Sequence, residues 1–133
     1  MPLRKHLFAL FASAGLAIGT WALAEDVVVF ATKAGALALS PEDITDAAPQ
    51  FGETGAGLNF ILAPTAAKAF ADLTGDSIGQ MMTLTICGDI LVEAVIRDRL
   101  EGRGYVALDS LGDATWYASR MTGEASCDGP RED

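Results

Sequence analysis

Few residues in this chain of 133 could do chemistry. There are two cysteines, Cys87 and Cys127, and a single histidine, His6. Cys87 lies in TLTICGDILVEAVI, Thr83 to Ile96, where two β-branched and aliphatic runs flank Cys-Gly-Asp. That pattern signals a tight hairpin and places a thiol at the tip of its turn. Two cysteines can form just one disulfide, here between positions 40 residues apart. On the chain-entropy account such a closure stabilises by about 4 kcal/mol, an upper figure. The other reading is a reactive thiol, although no basic neighbour or CxxC spacing favours a lowered pKa at Cys87. The disulfide is the expectation, with the polar tail EASCDGPRED pinned onto the hairpin tip.

The N-terminus bears on both readings. Arg4 and Lys5 form a basic region, Leu7 to Thr20 an apolar stretch, and Ala22-Leu23-Ala24 a small-residue cleavage site. This is the layout of a secretory signal peptide over residues 1–24. The apolar stretch is shorter than the roughly 20 residues needed to span a bilayer, which argues against a retained anchor. Export to an oxidising compartment permits the disulfide. It also removes His6, so no Ser-His-Asp, Cys-His or imidazole metal arrangement is expected in the mature chain. Neither common Gly-rich phosphate loop is present. Asp89/Glu93 and Asp98/Glu101 have acid–base spacing, but paired carboxylates in an acidic protein are usually solvated. No enzymatic activity, cofactor or metal is expected.

Loss of Arg4 and Lys5 from the 9 basic residues leaves 7 against 18 acidic, a net charge of −11 for residues 25–133. Phosphate backbones and anionic lipid repel such a surface, so nucleic-acid binding is not expected. Nor is stable membrane insertion once the leader is cleaved. The remaining chain is long enough for one modest core.

The elements that must position these residues follow from pattern. Val27 to Thr32 reads as a strand, and Lys33 to Leu39 as looser chain. Ser40-Pro41-Glu42-Asp43 has the cap, proline and acids of a helix start, with Pro49 ending that helix. Leu58 to Leu62 is a second strand. Pro64 opens a helix to about Thr74, with Ala66, Ala69, Phe70 and Leu73 on one face. The hairpin comprises Met81 to Cys87 and Ile90 to Ile96. Tyr105 to Leu108 is a short strand. Ser110 to Asp113 has capping-box spacing ahead of a last helix carrying Leu111, Ala114, Ala118 and Met121. Strands and helices mix without strict alternation, which implies an α+β fold: an antiparallel or mixed sheet with helices packed on one face. One domain over 25–123 and a tail over 124–133 are expected.

Strict pairing across the hairpin turn sets Ile90, Val92 and Ile96 beside Thr83 and Thr85. It sets Glu93 with Leu84 and Ile86. Both faces are then half apolar, which implies a bulge, a covering by loop or tail, or an exposed patch for a partner.

From Leu39 onward the chain resembles a known family. LSPEDITDA followed by LNFILAPTAAKAFADLTGDSIGQMMTLTICGDILVEAVI is similar to the head of the first periplasmic domain of the protein-export membrane protein SecD. Phe70, Ala71, Leu73, Thr74, Ile78, Gly79, Gly88, Val95, Ile96, Gly102 and Gly104 stand at matching positions, and Ala114 to Met121 matches the closing helix. The resemblance covers about residues 25–123 and implies a ferredoxin-like sandwich. Departures are Ala63 for a Thr cap, Gln80 for Lys, Cys87 for the turn Asp, and Val92-Glu93-Ala94 for a Ser-Ala-Pro-like step. SecD also carries membrane helices and uses the proton gradient. No segment beyond the leader is long and apolar enough to cross a membrane, so proton coupling is not expected.

The SecD head is thought to contact emerging unfolded polypeptide. The resemblance therefore implies a soluble periplasmic binding module for extended polypeptide or for export machinery. Its candidate surface is Thr83, Thr85, Ile90, Val92 and Ile96. The alternative is a regulatory or structural protein that reuses the fold to bind one folded partner.

Overall fold

The computed structural model describes residues 26–129, so the expected signal peptide over 1–24 lies outside the described residues. Strand β1, Val28–Thr32, turns through Lys33-Ala34 into β2, Gly35–Leu39. A 3₁₀ turn at Pro41–Asp43 precedes β3, Ile44–Gly52, and β4, Gly55–Leu62. Helix α1 spans Pro64–Gly75. The hairpin β5, Met81–Ile86, and β6, Asp89–Val95, follows. β7, Arg103–Ala107, and α2, Leu111–Met121, complete the fold. The class is α+β, with the strands divided between two wholly antiparallel sheets. One has four strands ordered β2-β1-β5-β6, the other three ordered β3-β4-β7.

Two expectations fail between Lys33 and Gly52. The looser chain after Lys33 contains a strand, because β2 pairs with β1 in unbroken register from Val28↔Leu39 to Thr32↔Gly35. Alanine and leucine carry little strand preference of their own, so pairing decides here. The helix from Ser40 to Pro49 is absent. Its start signal is real but stops after one turn, where the Asp43 carboxylate accepts the Ser40 N–H at 3.0 Å. The Asp43 carbonyl then accepts from the Ala63 N–H at 2.8 Å, tying the turn to the far end of β4. From Ile44 the chain pairs along the whole of β4. Pro49 is tolerated because β3 is an edge strand of its sheet, where the missing N–H faces away from the ladder.

One core joins all these elements. β1 contributes Val28 and Phe30, β4 Leu58, Phe60 and Leu62, and α1 Ala66 and Phe70, all buried. Leu84, Ile86 and Met82 come from β5, and Trp116, Tyr117 and Met121 from α2. The ring of Phe30 lies 4.5 Å from that of Phe70 and 6.1 Å from that of Phe60, centroid to centroid. Gly104 on β7 lets Phe60 approach, since a Cβ there would stand 2.6 Å from the ring. Buried hydroxyls fix the loops around this core. Thr74 Oγ1 donates to the Ala71 carbonyl at 3.1 Å and accepts the Leu100 N–H at 2.9 Å.

Phe30 is therefore the contact between the two sheets and α1. Truncating a buried phenylalanine costs about 3–5 kcal/mol. Phe30→Ala should lower the unfolding free energy obtained from urea titration by that amount. Phe30→Ala with Phe60→Ala should destabilise by less than the sum of the single changes, because the two rings share one contact.

Candidate binding face

The register of the four-stranded sheet decides which side chains face outward. Residues paired across an antiparallel ladder share a face. Val29 pairs with Ala38 and Thr85, and Ala31 with Ala36 and Thr83. Thr83 pairs with Glu93, and Thr85 with Ile90. All of these, with Met81 and Val95, occupy the face turned away from Phe30, Leu84 and Ile86. Within the four strands, Glu93 is the only ionisable side chain on it. Three large apolar residues stand well exposed there: Ile90 at 62 %, Met81 at 53 % and Val95 at 43 %. Val29, Ala31, Thr83 and Thr85 form a half-buried neutral floor between them.

The sequence assigned five residues to this face, and three of them lie on it: Thr83, Thr85 and Ile90. Val92 and Ile96 do not. The register shifts between Leu84↔Val92 and Thr85↔Ile90, leaving Leu91 as the extra residue of a bulge. A one-residue shift exchanges the faces of every following side chain. Val92 therefore pairs with Leu84 against the core, and Ile96 is 97 % buried, being only 3 % exposed. The bulge also moves Glu93 outward. Asp89 instead points to the core side of the sheet and accepts the Tyr117 hydroxyl at 2.7 Å. The carboxylates of the Asp89/Glu93 pair thus face opposite ways and share no acid–base site.

The hairpin turn is anchored. Cys87 has φ 53° and Gly88 φ 87°, the two positive values that a two-residue hairpin turn of the favoured twist requires. Cys87 is joined to Cys127 by a disulfide with a Cα–Cα distance of 5.5 Å. This ties the tail after α2 to the end of the four-stranded sheet. The tail is held a second time by Arg120, whose Nε donates to the Ser126 carbonyl at 3.1 Å. The Arg120 guanidinium lies 4.1 Å from the centre of the Trp116 ring. The two residues are four apart on α2, the spacing that stacks side chains on one helix face.

Leu111, Trp116, Arg120 and Ala125 line a groove of about 570 Å³ between α2 and the tail. The sequence reading missed this groove, although Trp116 and Arg120 at i,i+4 in a helix was a usable signal. The three-stranded sheet has a more polar outer side. Tyr105 covers Gly57 there, Asn59 bonds to Gln50, and Arg103 stands at the end of β7.

The electrostatics near α1 are local. Asp72 meets Lys68 Nζ at 3.2 Å and Arg99 Nη2 at 3.2 Å, all on the surface. The hydrogen bond from Lys68, then that from Arg99, holds the Asp72 carboxyl below the ordinary aspartate value. A folded-state value below the unfolded one adds stability above the unfolded pKa, and the gain is lost as pH falls through the folded value. Among the described residues, no group of three or more His, Cys, Asp and Glu is placed to hold a metal ion. Among those same residues, no helix is long and apolar enough to cross a membrane.

Two tests follow from these contacts. Cys127→Ser should lower unfolding stability by about 2–4 kcal/mol in urea titrations, and wild type under reductant should behave the same way. In an NMR titration, the Asp72 carboxyl should have a midpoint below the ordinary aspartate value. Lys68→Ala should move that midpoint back up.

Comparison with known proteins places this geometry. The family model for the SecDF P1 head subdomain matches residues 23–115. No curated protein matches. Two solved structures are similar at 25% identity and a TM-score of 0.59, each covering 69% of this chain. One is of a membrane component SecDF that enhances protein export; the other is SecDF in its super-membrane-facing form. The chain spans 43% and 13% of their respective lengths. With the family model matched over most of its length, the chain belongs to the SecDF P1 head subdomain family.

Proposed function

We propose that this protein is a non-enzymatic periplasmic binding module associated with protein export, delivered by a cleaved leader over residues 1–24. It contacts extended, unfolded polypeptide on the outer face of the four-stranded sheet and needs no cofactor or proton coupling. The observation that carries this reading is the face itself. An open sheet surface bearing Ile90, Met81 and Val95 with Glu93 as its one charge is unusual in a chain with 18 acidic residues. Uncharged apolar surface kept in water marks a contact site. Membership of the SecDF P1 head family supplies the context of export. A shuttling binder gains little from tight affinity, so contacts of short lifetime suit the role.

A second reading is a dedicated regulator with one folded partner, docked in the groove beside Trp116 and Arg120. The exposed apolar side chain of Leu111 at the groove favours it, because apolar surface kept in water marks a contact site.

The test is a photoreactive residue at Ile90, with a matched probe at Leu111 in the groove. Mass spectrometry of material trapped in the periplasm should recover many unrelated exported chains from position 90, and more of them under folding stress. One recurrent folded partner trapped from position 111 would establish the regulator instead.

A further inference from the structure

The four-stranded sheet has two edges, β2 and β6, and the three-stranded sheet has β3 and β7. Natural sheets guard such edges with charges, prolines, bulges or covering segments. Three of the four are guarded in that way. β6 carries Asp89, Glu93 and the bulge at Leu91, while β3 carries Asp46, Pro49 and its own register shift. β7 carries Arg103. β2, Gly-Ala-Leu-Ala-Leu, has no charge, no proline and no shift. Gly35, Ala36 and Ala38 are exposed. Among the described residues, the backbone of Gly35–Ala38 makes no backbone hydrogen bond outside its ladder with β1. Alternate N–H and C=O groups of an edge strand point outward, so β2 offers an open row of donors and acceptors.

We propose that β2 is the docking edge of this protein, and that an extended, non-acidic segment of an unfolded polypeptide adds to it as a fifth strand. This rests on the reading of the sheet as a polypeptide-binding surface, and it names the chemistry of the bound segment. Backbone pairing supplies affinity that any sequence can use, while the neighbouring side chains supply the filter. Ala36 and Ala38 are small, so an added strand lies level with the neutral floor of Ala31 and Val29. Charge selects the occupant. With 18 acidic and 9 basic residues, the protein repels acidic segments and also a second copy of itself. Uncharged segments with basic flanks are favoured.

The probe is a short dye-labelled peptide of alternating valine and threonine with a lysine at each end, read by fluorescence anisotropy. It is compared with the same peptide N-methylated throughout, which keeps the side chains and removes the N–H donors. The proposal expects at least tenfold weaker binding of the N-methylated peptide. Ala38→Lys should weaken binding of the unmodified peptide by a similar factor, and Ile61→Lys, exposed on β4 of the three-stranded sheet, should leave it within about twofold. Both variants are first shown to melt as wild type does.

Equal binding of the two peptides would overturn strand addition. So would unchanged binding of the unmodified peptide by Ala38→Lys. A permanently unfolded polypeptide tested alongside separates the two levels of the account. If it binds while the peptide does not, the β2 edge fails and the binding face stands; if neither binds, both fail. A concentration-dependent dimer abolished by Ala38→Lys would assign the edge to a second copy and overturn the proposal.

Discussion

Phe30 on β1 touches Phe60 on β4 and Phe70 on α1, and through these contacts two sheets of different strand order share one interior. Neither sheet could bury its apolar face alone, because three or four short strands need a partner layer. The contact also explains the local glycine at position 104, which admits the Phe60 ring. With the core face of the four-stranded sheet committed to this cluster, no element among the described residues packs over its outer face. That openness is what allows Ile90, Met81 and Val95 to remain in water while Leu84 and Ile86 are buried.

The bulge at Leu91 and the disulfide act on the same hairpin from different ends. The bulge sets which residues of β6 serve the core, sending Val92 inward and Glu93 outward. The disulfide holds the turn against the tail, and Arg120 holds the tail against α2. The β5–β6 turn end of the sheet is thus stiffened covalently. The β2 edge is held by the β1 ladder and by contacts beneath it, among them Leu73 near Gly35. An interaction surface built on such a sheet is preorganised, which limits the ordering cost of binding.

Much of this was legible in the sequence because it depends on short-range rules. The hairpin turn, the Pro64 helix, the Ser110 cap and the pairing of the sole two cysteines each rest on a few adjacent residues or on elimination. Ser110 Oγ does accept the Asp113 N–H at 3.0 Å, as its spacing implied. What was not legible depends on partners distant in the chain. β2 and β3 are strands because β1 and β4 lie beside them, against weak propensity in one case and a helix-start signal in the other. The candidate face was partly read for the same reason. Thr83, Thr85 and Ile90 were identified from alternation, but the parity change at Leu91 was not localised, so Val92 and Ile96 were placed on the wrong side. Val29, Ala31, Ala36 and Ala38 were missed because nothing local marks them as neighbours of Thr83 and Thr85.

The central claim is that the outer face of the four-stranded sheet meets extended polypeptide. A methyl-labelled NMR titration with a permanently unfolded polypeptide tests it most directly. The methyls of Ala31, Ala38, Ile90 and Val95 should shift or broaden together, while those of Leu58 and Ile86 in the core stay unchanged. Perturbation centred instead on Leu111, Thr115 and Ala125, with the sheet methyls still, would contradict the account and move the site to the groove along α2.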